Sequence, residues 1–279
     1  MATIAEKRAE FRRLHESGCF VIPNPWDVGS ARYLQSMGFK ALATTSAGFA
    51  WARGVSDGGT TRDMALAHYA ELASAVDVPL NADFEGGFAD APEDVAESVR
   101  LCVETGVAGL SIEDFTGDRA NPLYPFDLAV ARIKAARAAI DKAGGDVLLT
   151  GRSEGFIRGK PDLDETLRRL KAFAQAGADC LYAPGISTRE QIAAVVQAVA
   201  PKPVNLLMGT PSQLTVKDCA GLGVRRISVG GAMALAAWTG FMRAAHTLKS
   251  EGSFAGLAGL VPYAEINDLF ATPLIRGGR

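Results

Sequence analysis

The sequence predicts an α/β protein folded as a (β/α)8 barrel of the TIM type, and three observations support this prediction. Short apolar runs that end in polar residues occur eight times along the chain. Helical segments separate these runs, and this alternation is typical of a parallel sheet. Glycine introduces many of the runs, as in ETGVAGLSI and QAGADCLYA, where it would end the preceding helix.

The eight strand-like runs follow one another with short connections. In chain order they are CFVIPNPWD (19–27), GFKALATTSAG (38–48), VPLNADFEGG (78–87), GVAGLSIED (106–114), DVLLTGRSEG (146–155), GADCLYAPG (177–185), KPVNLLMG (202–209) and GVRRISVGG (223–231). The alternative is a doubly wound open sheet, but the eight units and the lack of a GxGxxG motif after the first run favour the barrel. A barrel needs about 250 residues, which the chain length of 279 allows.

We expect a single barrel domain over residues 1–279, because no linker or low-complexity block divides the chain. Residues 1–18 would form an N-terminal helix, and residues 232–279 an extra C-terminal helical segment. This last segment includes SFAGLAGLVPYAEINDLF, which has more apolar residues than an exposed tail needs. Exposed apolar surface of that extent usually marks an interface, so we expect an oligomer.

The composition excludes several classes of partner. The net charge is −2, and no run of Lys or Arg would follow a phosphate backbone, so we expect no nucleic acid and no anionic membrane as partner. No stretch approaches the roughly 18 apolar residues of a membrane span, and the N-terminal residues lack the apolar core of a secretory signal. The four cysteines form no CxxC pair, which indicates reduced thiols and a cytoplasmic location.

Polar side chains occur where the predicted strands end, and in a barrel these ends form the active site. Asp83 and Glu113 end neighbouring strands, and Glu85 and Asp57 would lie close by. Carboxylates in this arrangement suit a hard divalent cation, Mg²⁺ or Mn²⁺. The chain has three histidines, all in helical contexts, so a histidine-rich zinc site is not expected. The alternative is that Asp83 and Glu113 form an ion pair with Arg152.

Arg152 ends the buried strand predicted within the fifth run, opposite these acids, and a planar guanidinium there could hold a carboxylate or a phosphonate. The segment from Thr45 to Gly48 places hydroxyl and backbone N–H groups at a strand-to-loop turn, which suits an anionic oxygen. Together these groups predict a site for a small dianionic acid and its metal. The turn Ser228–Gly231 has two interpretations, a barrel phosphate turn or tight helix packing.

The motifs NPWDVGSARYLQSMGFKALATTSAG, GVSDGG, PLNADFEGGF, GVAGLSIED, GRSEGF and AGADCLYAPG occur in this order along the chain. In order and spacing they resemble the isocitrate lyase/phosphoenolpyruvate mutase superfamily, and the resemblance extends from about Phe20 to Phe254. It implies a barrel that holds Mg²⁺ partly through water. Asn81 occupies the position of a common third acid, whereas Glu85 stands where better-known members have glycine.

The resemblance also implies roles for individual residues. The acid matched by Asp57 lies close to the reacting centre, and the arginine matched by Arg152 holds the substrate carboxylate. The residues expected to contact substrate are Thr45, Ser46, Ala47, Asp83 and Arg152, together with Glu154 and Asn205, which are predicted from their positions at strand ends. The residues expected at the metal are Asn81, Asp83, Glu85 and Glu113.

The segment after Glu113 matches a mobile gating loop of the superfamily, here residues 115–125. Isocitrate and methylisocitrate lyases have a K-[KR]-C-G-H motif there, which this chain lacks. Mutases and phosphonopyruvate hydrolases have a Lys and an Asn, whose positions Arg119 and Asn121 occupy. We expect both residues to act in catalysis when the loop closes over substrate.

These observations predict a Mg²⁺-dependent lyase or decarboxylase that cleaves a C–C bond in a small 2-oxo or 2-hydroxy dicarboxylic acid through an enolpyruvate-like intermediate. One alternative is a phosphonomutase or phosphonopyruvate hydrolase, in which a C–P bond takes part. Another is a 2-oxo acid binding protein without turnover. The resemblance implies a homotetramer in which subunits exchange the eighth helix.

Overall fold

The computed structural model describes residues 2–271, and within them eight parallel strands form a nearly closed barrel with helices between them. The strands are β1 Phe20–Ile22, β2 Leu42–Ala43, β3 Leu80–Asp83, β4 Gly109–Glu113, β5 Leu148–Arg152, β6 Cys180–Tyr182, β7 Val204–Leu207 and β8 Arg226–Ser228. Each strand lies inside one of the eight predicted runs. The predicted (β/α)8 barrel is therefore confirmed, and the open sheet is excluded.

The strands are paired in the order β1-β8-β7-β6-β5-β4-β3-β2, so β1 and β2 are the two strands at the seam. The Ala43 backbone N–H donates to the Pro23 carbonyl at 3.1 Å across this seam. The Asn24 side chain adds to the closure, because its Nδ2 donates to the Thr44 carbonyl at 2.9 Å. A side chain thus holds the barrel closed where a regular ladder is lacking.

Helices cover the outside of the barrel and begin mostly at residues suited to capping. They are α1 Ile4–Leu14, α2 Val28–Ser36, α3 Ser46–Ala52, α4 Arg62–Ala75, α5 Pro92–Glu104, α6 Phe126–Lys142, α7 Leu163–Gln175, α8 Arg189–Val199, α9 Val216–Gly221, α10 Ala232–Glu251 and α11 Tyr263–Ala271. Thr3, Asp27, Thr188 and Thr215 each accept a hydrogen bond from the backbone three residues on and form a complete capping box.

The inside of the barrel changes from apolar to polar towards the strand ends. At the N-terminal side, Phe11 of α1 is fully buried and packs with Ile22 and Leu148. The next layer contains Thr150, Asn205 and Arg226, which are joined by hydrogen bonds. Barrel interiors are usually filled by branched apolar side chains. A polar layer at this depth therefore indicates a function beyond packing.

The C-terminal segment follows β8 and consists of α10, a short 3-10 turn over Ala255–Leu257, and α11. Of the residues of α10, Ala234 is the one that is buried within the described chain. Large apolar side chains are exposed here, including Leu235, Trp238, Phe241, Met242, Phe254, Leu260 and Tyr263. The end of the predicted segment, 272–279, lies outside the described residues. Over the range 2–271, no helix is both long and apolar enough to cross a membrane.

Candidate active site

A cavity of about 590 Å³ opens at the C-terminal ends of the strands, where a barrel of this type has its active site. The predicted site residues that line it are Thr45, Ser46, Ala47, Asp57, Asn81, Asp83, Arg152 and Asn205. Apolar side chains also line the cavity, among them Trp51, Ile186, Leu207 and Met208. The fold therefore brings eight separate predictions from the sequence into one cavity.

Arg152 is the centre of the charged side of this cavity. Its Nη1 lies 3.1 Å from Asp83 Oδ1 and 3.2 Å from Glu113 Oε2, and its Nε contacts Glu154 Oε1. The ion pair with Arg152 that the sequence left as an alternative is thus present. Glu154 has no exposed surface, so in this structure it supports Arg152 from behind instead of reaching a substrate.

Arg158 is a second cation at the same cluster, and the sequence analysis missed it. Its Nε lies 2.8 Å from Glu154 Oε2, its Nη2 lies 3.6 Å from Glu113 Oε1, and its guanidinium stacks over the Phe115 ring at 3.7 Å. Burial raises the pKa of Glu113, and the two arginines oppose that shift. Arg158 lies six residues past the end of β5, where no strand periodicity identifies it.

Asp83 is fixed by groups from three elements. Its Oδ2 accepts from the Ser46 N–H at 3.0 Å, its own N–H donates to Thr44 Oγ1 at 2.8 Å, and Tyr69 donates to its carbonyl at 2.7 Å. One backbone donor of the predicted anion turn is therefore already used by Asp83. The Ser46 hydroxyl interacts with the Asp57 carboxylate, so Ala47 remains as the group of this turn for a substrate.

Glu85 lies beside Asp83 and has an unusual backbone conformation, with a φ of 48°. Its carboxylate has no hydrogen-bond partner among the described residues. Burial raises the pKa of Glu85 to about 7, and the charges of Asp83 and Asp57 add to the shift. Asp57 lies at the exposed mouth of the cavity, where partial loss of water and the nearby Asp83 raise its pKa as well. These three acids repel one another.

The charges at the site do not balance. Asp57, Asp83, Glu85, Glu113 and Glu154 provide five carboxylates, whereas Arg152 and Arg158 provide two guanidiniums. Full ionisation would leave three negative charges uncompensated in this cluster, or two when Arg226 on the cavity floor is counted. An additional cation at this cluster would favour binding of an anionic substrate beside the acids.

The donor set fits a hydrated Mg²⁺ or Mn²⁺. Within residues 2–271, no group of three His, Cys, Asp or Glu side chains is arranged to enclose a metal ion. Mg²⁺ does not need such a cage, since it usually keeps several waters and binds through one or two carboxylates. Asp83, which faces the cavity, and Glu113 behind it have the oxygen chemistry required, and the excess negative charge favours the ion.

Asn81 and Asn205 lie deeper in the cavity than the acids. Asn81 Oδ1 lies 3.5 Å from Arg226 Nη1, and its Nδ2 donates to the Ala82 carbonyl at 3.1 Å. Asn205 Oδ1 accepts from Arg226 Nε at 2.8 Å. The amide oxygen of Asn81 is thus directed to an arginine, which is a poor arrangement for a metal ligand. Arg226 was not identified from the sequence, although it precedes Ser228 by two residues and so faces the same side of β8.

The turn Ser228–Gly231 is occupied by a side chain. The Val229 and Gly230 N–H groups both donate to Asn24 Oδ1 at 2.9 Å. These donors are the ones that a phosphate group would need. The structure therefore favours the packing interpretation of this turn over a phosphate turn.

The loop 115–125 is better anchored than its sequence suggests. Phe115 and Leu123 form an antiparallel bridge, and Tyr124 donates from its backbone to the Asp114 carbonyl at 2.9 Å. Arg119 and Asn121 at its tip are exposed and do not line the cavity, and Asn121 Nδ2 donates to Asp118 Oδ2 at 3.1 Å. This structure therefore does not bring the two predicted catalytic residues of the loop to the site.

Comparison with known proteins gives a consistent result. A family model described as phosphoenolpyruvate phosphomutase matches residues 11–249. An oxaloacetate decarboxylase of Paraburkholderia xenovorans is 33% identical over 235 residues, which cover 78% of this chain and 73% of that protein. A structure from Burkholderia cenocepacia J2315, assigned as a lyase/mutase, has 47% identity and a TM-score of 0.93 and covers 97% of this chain and 98% of its own. Oxaloacetate acetylhydrolase with bound oxalate has 26% identity and a TM-score of 0.86, with coverages of 98% and 96%.

Proposed function

This chain belongs to the phosphoenolpyruvate phosphomutase family, and on that premise we propose that it is a Mg²⁺-dependent lyase or decarboxylase of small 2-oxo or 2-hydroxy dicarboxylic acids. Relatives in the isocitrate lyase/phosphoenolpyruvate mutase superfamily are lyases and mutases of small carboxylic acids. Cleavage of a C–C bond is the specific reaction that we infer for this chain.

The observation that carries the proposal is Arg152, which faces the cavity and is held among carboxylates that outnumber the local cations. Its guanidinium is oriented by Glu113 and Glu154, so it can bind a substrate carboxylate without first being ordered. Asp83 and Glu113 would hold the divalent cation. When bound, that cation supplies Lewis-acid stabilisation of the negative charge that develops next to the broken bond.

The remaining residues have roles that follow from their positions. Ala47 lies where it can bind a substrate oxygen at the start of α3, beside Ser46. Burial and the nearby Asp83 raise the pKa of Asp57 at the mouth of the cavity, so its carboxylate is a stronger proton acceptor than an ordinary aspartate. The loop 115–125 would close over the cavity and exclude water.

A C–P reaction is the second candidate, and the family description and Asn121 favour it. Two observations oppose it. Arg119 replaces the loop lysine of mutases and hydrolases, and Asn24 already occupies the backbone donors of the turn after β8. A binding protein without turnover is the third candidate.

An activity screen with Mg²⁺ against oxaloacetate, methylisocitrate and phosphonopyruvate would separate the three candidates. Release of pyruvate from oxaloacetate or of a 2-oxo acid from methylisocitrate, abolished by EDTA and restored by Mg²⁺, would support the lyase. Phosphate released from phosphonopyruvate would indicate the hydrolase. Calorimetric binding without turnover of any compound would refute the lyase and favour the binding protein.

A further inference from the structure

Arg226 is a buried cation without a neighbouring acid. It lies at the start of β8 and is 3% exposed. Its hydrogen-bond partners are Asn205 Oδ1 at 2.8 Å, Thr150 Oγ1 at 3.0 Å and His15 Nε2 at 3.3 Å, with Asn81 Oδ1 at 3.5 Å. Burial lowers the pKa of His15 to about 3, and Arg226 contributes to this shift, so the imidazole is neutral. Among residues 2–271, no carboxylate lies within 4.0 Å of Arg226.

Two other arginines of the described chain are paired with acids, and a third, Arg132, is buried away from the cavity and donates to the backbone carbonyls of Gly86, Ala89 and Asp90. Arg169 lies 3.1 Å from Asp114, and Arg152 contacts Asp83, Glu113 and Glu154. Burying a charge is costly unless an opposite charge or strong acceptors surround it. Neutral amide and hydroxyl oxygens satisfy the hydrogen-bonding geometry of Arg226, but no carboxylate of the described residues contacts it. This suggests that the compensating charge belongs to a ligand.

The position of Arg226 makes this possible, because it lines the same cavity as Arg152. With Asn81, Ser111, Asn205 and Ser228 it forms the polar floor of that cavity, deeper along the strands than the acids. A guanidinium has five N–H groups, and the four contacts use at most four of them. Asn205 Nδ2 donates to Ser228 Oγ at 3.0 Å and keeps a second hydrogen. Donors are therefore left over at the floor.

The amide at position 81 explains why the charge persists. An aspartate there would stand within reach of Arg226 Nη1 and would neutralise it, whereas the amide of Asn81 cannot. We propose that Arg226, with Asn81 and Asn205, forms a second anion subsite on the cavity floor that binds the distal carboxylate of the substrate. The first carboxylate is the one that Arg152 holds. This inference rests on the proposed function only in taking the ligand to be a small acid.

The subsite can be tested by calorimetric binding in the presence of Mg²⁺ with two probes, malate and 2-hydroxybutyrate. In 2-hydroxybutyrate a methyl group stands where malate has its distal carboxylate. Wild type should bind malate at least about tenfold more tightly, because hydrogen bonds to a charged group contribute on that scale. Arg226→Gln should reduce this preference to about threefold or less, with the Kd of 2-hydroxybutyrate unchanged.

Asn81→Asp is the more decisive variant, since it keeps the shape of the side chain and the arginine. It should abolish the preference for malate in the same way and should raise the thermal stability of the ligand-free protein, because it pairs the buried charge. Arg225→Gln is the matched control. Arg225 contacts the Gly18 carbonyl outside the barrel, so its loss should leave the preference intact.

Three results would overturn the subsite. Equal affinity of wild type for both probes would exclude it and leave the proposed function standing, whereas binding of neither probe would refute both. An Asn81→Asp variant that keeps the malate preference and binds Mg²⁺ more tightly would instead assign position 81 to the metal.

Discussion

Glu85 should lower the stability of the metal-free protein at alkaline pH. Its pKa is raised from 4.5 to about 7 in the folded chain. The folded state therefore binds a proton that the unfolded state releases, and stability is full below about pH 4.5 and falls as pH rises through 7. A shift of that size corresponds to about 3 kcal/mol as an upper bound. Because the side chain is partly exposed, we expect about 1–3 kcal/mol.

The assay is urea unfolding in EDTA at pH 4 and pH 8. Glu85→Gln should raise the free energy of unfolding by about 1–3 kcal/mol at pH 8 and should leave it unchanged at pH 4. Glu85→Gly also removes the carboxylate, and its free energy of unfolding should exceed that of Glu85→Gln by about 0.5–1 kcal/mol at both pH values. The reason is that glycine adopts a φ of 48° without the left-handed penalty. Glu71→Gln on the exposed side of α4 is the control and should change neither value.

A Glu85→Gln variant that is no more stable than wild type at pH 8 would refute this reasoning. The same experiment in Mg²⁺ adds a second test. If the ion binds near Glu85, it should stabilise wild type at pH 8 more than it stabilises the Gln variant.

Three further predictions concern the metal, the loop and the assembly. Asp83→Ala should abolish Mg²⁺-dependent turnover while the circular dichroism spectrum stays that of wild type, and undiminished turnover would exclude Asp83 from the metal site. Arg119→Ala should lower kcat at least about tenfold, the effect of losing a transition-state charge contact of about 1.4 kcal/mol; unchanged kcat and KM would make Arg119 a passive surface residue. The exposed apolar side chains of α10 should be buried in a homotetramer, or failing that a dimer, and a monomer mass by light scattering at micromolar concentration would contradict this.

The fold could be predicted because its pattern is local and repeated. Each strand is a short apolar run, and the polar residues that follow it in the sequence mark its carboxyl end. Asp83 and Arg152 could therefore be assigned to the same end of the barrel without knowledge of their contacts. Parallel strands then bring all such ends together. This is why the cavity contains most of the predicted residues although they are far apart in the sequence.

The pairing of charges could not be predicted in the same way. Which acid contacts Arg152, and whether Arg158 joins them, depends on side-chain directions that strand periodicity does not give beyond the strand ends. Arg226 was missed for a different reason. A double arginine in an apolar run suggests an exposed edge, and only the alternation of side chains along β8 places one of the two inside the barrel.

The closure of the barrel by Asn24 has a consequence for synthesis of the protein. Asn24 accepts from Val229, which lies 205 residues further along the chain, and β1 has its ladder partner in β8. At about 5–20 residues per second, translation separates these two partners by roughly 10–40 s. During that interval the β8-facing edge of β1 has no ladder partner. The contacts between β1 and β8 also join residues that are far apart in sequence, and such contacts form slowly. The segment around β1 therefore stays exposed to wrong pairing until β8 has been made.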